Sequence, residues 1–500
     1  MEDIKQNKIE VKSVKYNFFM SVILKISMFL FPLITFPYVS RILGPSGTGK
    51  VSLATSVISY ATMFATLGIP TYGIRACAQC RDDKKQLSKT VHELLIISVI
   101  GLVVTYAVLI VIIINVPKLN QEKTLLFLMS SSLVLSSIGV EWFYQGIEQY
   151  RYITARNIVF KFIALIMMFV LIHSSEDYIL YGGITVLGTV GSNFLNLFKL
   201  RDYIFIKPLK NYNIKKHIKP SVNFFLLTVA STIYSNLDTV MIGFITSNEE
   251  VGFYNASVKV RSILLSFVNA LSTVLLPRIS SYIKNKAYND FNKIINISIN
   301  IILFLSIPLT VFFMFESNNT ILLLAGQDYS PAIPSMIIIM PTLIVAGLNN
   351  LTGIQVLGSL GLEKYTVIST SSAAVLDIIL NSVLIPTYGA SGAAFSTLLA
   401  EILAFAIQLF FIYTHSKKEV KIKFNYINIL KIILATISSM IFASLFASML
   451  PVRSIIIKYL CSASVFGLVY IVILFVLREE ILYTYGVSFV KSLIRRIATK

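Results

Sequence analysis

The sequence predicts an all-α, polytopic membrane protein, and three observations carry that reading. Apolar residues make up 56% of the chain and the mean hydropathy is +0.77, well beyond what a water-soluble domain carries. Apolar runs of about 20 residues, enough to cross a bilayer as a helix, recur from one end to the other. Lys and Arg concentrate in alternate loops between those runs, as in a chain that threads a membrane repeatedly.

Fourteen spans follow, at 17–40, 51–73, 91–114, 124–144, 156–173, 178–199, 221–246, 251–276, 294–315, 332–357, 365–385, 391–413, 428–450 and 455–477. Alternate loops counted from the N-terminus hold 33 Lys and Arg, whereas the opposite loops hold five: Arg41, Lys50, Lys118, Lys123 and Arg453. This bias puts both termini in the cytoplasm and requires an even number of spans. A net charge of +19 would suggest nucleic acid in a soluble chain, but here the cations belong to loops, and no nucleic-acid partner is expected. The polar residues before position 17 and the long apolar run after them read as an uncleaved first span. Three cysteines (Cys77, Cys80 and Cys461) make no disulfide framework. The outer loops are too short for a folded catalytic domain, so an enzyme is not expected and the work is done within the membrane. The basic tail, with Arg478, Lys491, Arg495, Arg496 and Lys500, reads as an amphipathic segment on the anionic leaflet.

An internal echo divides the chain. Asn17-Phe18-Phe19 opens the first span and Asn223-Phe224-Phe225 the seventh. The next helix begins in each case at a glycine, Gly49 or Gly252, with Ala54 or Ala256 soon after. This predicts two six-helix lobes, 1–200 and 221–415, joined by a basic cytoplasmic linker at 201–220. Two additional helices and the tail occupy 416–500. Repeats around a midplane cavity are a common plan of secondary transporters.

Charges within the spans are the functional signal, because an ionised side chain at mid-bilayer costs on the order of 3 kcal/mol. In the first span, Lys25 either faces a wet cavity or snorkels to the headgroups. Pro32 and Pro37 each remove a backbone donor from that span and make it a hinge candidate. Asp238 in span seven lies at a depth similar to Lys259 and Arg261 in span eight. Arg261 is favoured for phosphate, since a guanidinium meets it bidentately; the alternative is a structural ion pair across the hairpin. Asp377 and Asn381, one turn apart in span eleven, and Thr397 and Glu401 in span twelve supply hard oxygen ligands for Na⁺ or a site for H⁺. A hydrogen-bond network between the two helices is the alternative.

Other motifs read as structure. Gly44-Pro45-Ser46-Gly47-Thr48-Gly49-Lys50 imitates a phosphate loop, but Val51 stands where a magnesium ligand belongs and a membrane helix precedes it, so a tight turn is expected. Cys77-x2-Cys80 lacks a second ligand pair for zinc. His92, His173, His217 and His415 lie at span ends or in loops and form no proton relay. Tyr38, Tyr60, Tyr72, Trp142, Tyr144 and Tyr234 fit aromatic belts, with some free to stack on sugar rings.

Residues 41–89 (RILGPSGTGKVSLATSVISY and onward), GVEWFYQGIEQYRYITARN at 139–157, DTVMIGFITSNEEVGFYNASVKV at 238–260 and 357–401 together resemble bacterial oligosaccharide flippases of the O-antigen type. These belong to the multidrug/oligosaccharidyl-lipid/polysaccharide exporter superfamily. The resemblance implies fourteen helices in two lobes around a V-shaped cavity, in a bacterial cytoplasmic membrane. It implies a flippase that moves oligosaccharide repeat units linked to undecaprenyl pyrophosphate for O-antigen or capsule synthesis, by alternating access coupled to a cation gradient. It also implies Lys25, Arg41 and Arg261, with Lys259 beside them, as pyrophosphate ligands, and Asp238, Asp377, Asn381 and Thr397 as a sodium site. No cofactor is expected beyond Na⁺ or H⁺ as coupling ion. The expected partners are the lipid-linked oligosaccharide, membrane lipids, and polymerase and chain-length machinery around a monomer. Two rivals stand beside this reading: a cation-coupled multidrug antiporter, which needs an acidic cavity, and a membrane glycosyltransferase or polymerase, which needs catalytic acids or a large outer loop.

Overall fold

The computed structural model describes residues 12–416, 420–451 and 454–483. Lys5, Lys8, Lys417, Lys418, Arg453 and the basic residues of the tail from Lys491 to Lys500 lie outside the described residues. Helices and short connections account for the fold, and no strand occurs among the described residues. The chain forms two compact units, Met1–Gly252 and Phe253–Lys500.

The first unit holds α1 (Val14–Thr66), α2 (Ile69–Cys80), α3 (Lys84–Asn115), α4 (Pro117–Gln121), α5 (Lys123–Ile138), α6 (Glu141–Gly146), α7 (Tyr150–Leu171), α8 (Tyr178–Val190), α9 (Phe194–Leu200) and α10 (Lys215–Ile245). The second holds most of α11 (Asn248–Lys284), then α12 (Tyr288–Phe315), α13 (Ser317–Leu324), α14 (Ala332–Ile339), α15 (Thr342–Asn350), α16 (Glu363–His415), α17 (Tyr426–Met449) and α18 (Ile455–Val476). Short polar residues start several of these helices by accepting from otherwise unpaired backbone N–H groups. Ser13 caps α1 at Tyr16, Asp83 caps α3 at Lys85 and Gln86, and Asn425 caps α17 at Asn428.

Ten of the described helical segments are long and apolar enough to cross a membrane, or eleven with the bent pair Ala332–Ile339 and Thr342–Leu357 taken as one. The fourteen of the sequence reading differ by counting α1 and α16 twice each and by adding α11. Both α1 and α16 run to 53 residues, about 80 Å at 1.5 Å per residue against a hydrocarbon thickness of roughly 30 Å. Each is broken inside by one glycine: Gly44 at φ 66° in α1 and Gly389 at φ 52° in α16. Such left-handed backbone is open to glycine without the steric cost other residues incur. Pro32 and Pro37 lie within α1 where the backbone stays helical, so the departure from helix falls at Gly44.

The phosphate-loop imitation is the turn at that break, and its glycines serve close packing. A Cβ on Gly49 would lie 1.7 Å from the Asn248 carbonyl oxygen, and one on Gly252 would lie 2.2 Å from that of Pro45. The two glycines paired in the sequence echo are thus held against one another, backbone to backbone.

In the first unit, Trp142, Phe143 and Tyr144 pack with Ile69, Cys77, Leu87, Val91 and Leu94. The segment expected to be an interlobe linker is bound down onto α3. Phe205 N donates to Ser88 Oγ (2.9 Å), Asn213 N donates to Glu93 Oε1 (2.6 Å), and Lys216 Nζ and His217 Nε2 each lie 2.8 Å from Glu93 Oε2. From there α10 packs along α1 and α2, so compactness divides the chain after Gly252, beyond the 201–220 boundary drawn on sequence. In the second unit, α12 packs with α15 and α17, and α17 runs along α18. Buried contacts such as Asn428 Nδ2 to Glu479 Oε1 (2.8 Å) and Ser462 Oγ to Glu316 Oε1 (2.9 Å) hold α17 and α18 in that unit.

Gly252→Ala drives a methyl into a backbone carbonyl and is expected to destabilise the fold by at least the roughly 1–3 kcal/mol typical of overpacking. A thermal melt of the detergent-solubilised protein checks this, with an Ala substitution at Gly467, whose Cβ would meet open space, as the neutral comparison.

Candidate functional site

Charge in the membrane-spanning helices falls into two groups: cations joined to carboxylates, and cations that are not. Arg261 on α11 belongs to the first. Its Nη2 lies 2.7 Å from Glu401 Oε1 and its Nε donates to Thr342 Oγ1. The other Glu401 oxygen accepts from Asn349 Nδ2 at 2.7 Å. Arg261 and Glu401, read on sequence as a pyrophosphate ligand and a cation-coupling carboxylate, are therefore partners of each other. Lys259, two residues away on the same helix and nearly opposite in projection, is half-buried.

Arg156 on α7 is almost fully enclosed and equally occupied, with Glu141 at 2.8 Å and Ser192 and Asn193 at 2.9 Å each. A buried guanidinium held by a carboxylate and two neutral acceptors is a structural tie between α6, α7 and the turn before α9.

Lys25 and Lys161 form the second group. Lys25 is exposed on α1. Lys161 stands near the middle of α7, half-buried, and donates to Ser27 Oγ at 2.9 Å with the Phe31 ring 5.8 Å away. Among the described residues neither has a carboxylate partner. The two do not converge: Lys25 and Ser27 are two residues apart and project from nearly opposite sides of α1. Lys161 escapes the sequence reading because a span opened at 156 puts it near the cytoplasmic end; the helix begins at Tyr150, which makes it central.

Arg41 is exposed at the end of the proline-containing stretch and donates to the Pro37 carbonyl at 2.6 Å. Asp238 is buried on α10 in the first unit. Asp377 and Asn381 are buried one turn apart on the first half of α16, and Thr397 is buried on its second half, 3.1 Å from Tyr254 Oη. Of the aromatics, Trp142 and Tyr144 are core residues, Tyr38 Oη donates to the Ile172 carbonyl (2.8 Å), and Tyr72 Oη meets His217 Nδ1 (2.8 Å). Structural packing accounts for these four.

The first unit also holds an open cavity of about 490 Å³ between α1, α5, α8 and α10, within the roughly 300–1,000 Å³ of small-molecule sites. Its wall is dense in Ser and Thr and, among the described residues, has no charged and no aromatic side chain. Single hydroxyls scattered over four helices leave no motif, and only their convergence in space makes them visible.

The family described as "Polysaccharide biosynthesis protein" matches residues 14–283, more than half of the chain, and the MatE family matches residues 225–383. A protein of Escherichia coli (strain K12), provisionally named an O-antigen transporter, is 23% identical over 404 residues, covering 80% of this chain and 97% of its own. A Haloferax volcanii protein provisionally named a low-salt glycan biosynthesis flippase is 28% identical over 251 residues, covering 48% of this chain and 51% of its own. Among solved structures, the lipid II flippase MurJ in an inward closed conformation superposes with a TM-score of 0.71 at 18% identity, covering 93% of this chain and all of the other. An inward-facing multidrug resistance MATE transporter gives 0.59 at 13% identity, over 78% and 95% of the two chains. The fold is that of the MurJ and MATE transporters.

Arg261→Ala strands Glu401 in the second unit and is expected to cost about 3–5 kcal/mol of stability, the usual penalty for breaking a buried pair. Arg261→Met combined with Glu401→Gln removes both charges and is expected to recover most of the loss. Melting temperatures of the three purified proteins, compared with wild type, decide it.

Proposed function

We propose, since the chain belongs to the polysaccharide biosynthesis protein family, that it is a flippase for lipid-linked oligosaccharide. Its substrate in this reading is a glycan repeat unit on undecaprenyl pyrophosphate, carried from the inner to the outer leaflet of a bacterial cytoplasmic membrane for surface polysaccharide synthesis. The observation that carries the reading is the pair of membrane-embedded ammonium groups in the first unit, Lys25 and Lys161, that no carboxylate neutralises among the described residues. An uncompensated cation at that depth is costly unless an anion meets it, and a pyrophosphate head is an anion that enters the membrane only transiently. Glycan-handling names among the relatives support the same class of cargo.

In the proposed cycle the pyrophosphate meets Lys25 or Lys161 in turn, on the two sides of α1, while the prenyl chain stays in lipid. The change of sides is alternating access. Asp238, Asp377, Asn381 and Thr397 are the proposed coupling set for Na⁺ or H⁺. Glu401 is less suited to that set because both its oxygens are engaged. Loop charge supports cytoplasmic termini. A drug antiporter of the same fold needs carboxylates to take up cationic cargo, and the cavity of the first unit has none in its wall.

The test is protein reconstituted in liposomes with a short-chain fluorescent undecaprenyl-pyrophosphate glycan on one leaflet. Lys25→Ala and Lys161→Ala are each expected to slow translocation about tenfold or more, and the double variant further, with Lys161→Arg retaining most activity. Wild-type rates in a folded double variant would defeat the reading.

A further inference from the structure

The cavity of the first unit has a polarity that follows from how its hydroxyls are already used. A Ser or Thr hydroxyl has one hydrogen to donate and two lone pairs to accept with. On α1, Thr55, Ser59, Thr62 and Thr66 line one face, and each hydroxyl donates backwards to the carbonyl four residues earlier, at 2.7, 2.8, 2.8 and 2.9 Å. On α8, Thr185 and Thr189 do the same at 2.8 Å each. On α10, Thr228 donates to Phe224 O at 3.0 Å and Ser235 to Ser231 O at 2.9 Å. In this back-bonded state each hydrogen is occupied within its own helix and the lone pairs remain for the cavity. Ser136 on α5 and Ser231 and Thr232 on α10 also line it and make no side-chain hydrogen bond among the described residues, so these three hydroxyls keep a hydrogen to donate, and Asn236 Nδ2, which donates to the Thr232 carbonyl at 3.1 Å, keeps a second N–H.

The wall is therefore an uncharged surface on which acceptors outnumber free donors. Anionic oxygens are poorly served by it, because its few free donors carry no charge to offset their desolvation. An organic cation is poorly served too, because no carboxylate offsets its desolvation. Neutral polyols suit it, since sugar hydroxyls and acetamido N–H groups are the donors that such acceptors lack. With no aromatic ring in the wall, recognition goes through hydrogen bonds at the sugar edges. Resting on the flippase reading, we propose that this cavity is the compartment for the uncharged sugar residues of the lipid-linked glycan. The pyrophosphate is kept outside it, at the lysines, and acidic sugars are selected against.

The experiment uses the full chain in nanodiscs and three probes. These are bare undecaprenyl pyrophosphate, the same lipid bearing the neutral disaccharide galactosyl-N-acetylglucosamine, and the same lipid with glucuronic acid in place of galactose. Wild type is expected to bind the neutral glycolipid about tenfold more tightly than the bare lipid, as two or three modest hydrogen bonds would give, and more tightly than the glucuronate form. In the variant Thr62→Val/Ser231→Ala/Thr232→Val the ratio of neutral glycolipid to bare lipid is expected to fall to near one, with an unchanged melting temperature showing that it folds. A wild-type protein that binds all three alike, or prefers the glucuronate form, overturns this proposal while leaving the flippase reading standing; so does a folded variant that keeps the tenfold ratio. A wild-type protein that binds none of the three overturns the flippase reading and this proposal together.

Discussion

A full charge that leaves water for a helical bundle must find an opposite charge or a set of oriented dipoles, and this requirement organises the polar interior of the protein. Arg156 finds Glu141 with Ser192 and Asn193, Arg261 finds Glu401 with Thr342, and Glu93 gathers Lys216, His217 and a backbone N–H of the preceding segment. Each group ties together elements distant in sequence. Removing Glu141, Arg261 or the Lys216 and His217 pair would strand Arg156, Glu401 or Glu93, each of them buried, which makes these ties directional constraints on the fold rather than surplus stability.

Against that pattern the behaviour of Lys25 and Lys161 gains its meaning. The same chain that supplies a carboxylate to Arg156, one turn and a half from Lys161 on α7, gives Lys161, among the described residues, the Ser27 hydroxyl and an aromatic ring. A hydroxyl supplies a dipole and no net charge, so the site keeps its positive potential. Arg261 carries the same formal charge at a similar place in its own span, yet its potential is largely cancelled by Glu401. Charge count alone therefore does not locate an anion site; the compensation around each cation does.

This distinction also separates what was legible in the sequence from what was not. Hydropathy and loop charge were sufficient for the helical membrane fold, because span length and Lys/Arg position are one-dimensional properties. The glycines at 49 and 252 could be marked as equivalent, and the failed phosphate loop dismissed, from residue identity alone. Partner choice is a different matter. Depth along two helices suggested Asp238 for Arg261, but depth carries no azimuth, and the actual partner lies 140 residues away on α16. Lys161 was hidden by a helix start placed six residues late. The hydroxyl-lined cavity was hidden more thoroughly, since Ser and Thr are nearly neutral on a hydropathy scale and its wall draws on four separate helices.

The two features that sequence missed are complementary. A lipid-linked glycan joins a doubly anionic head, which asks for donors and positive charge, to a polyhydroxyl body, which asks for acceptors. A single polar chamber would have to compromise between them: cations strong enough for the pyrophosphate would bind stray anions, and acceptors numerous enough for sugars would repel the head. Here back-bonding turns the hydroxyl faces of α1, α8 and α10 into acceptors, while unneutralised ammonium groups sit elsewhere on α1 and α7. The segregation lets each part of such a cargo be desolvated against its own counterpart, and individually weak, uncharged hydrogen bonds on the sugar side keep release as accessible as entry.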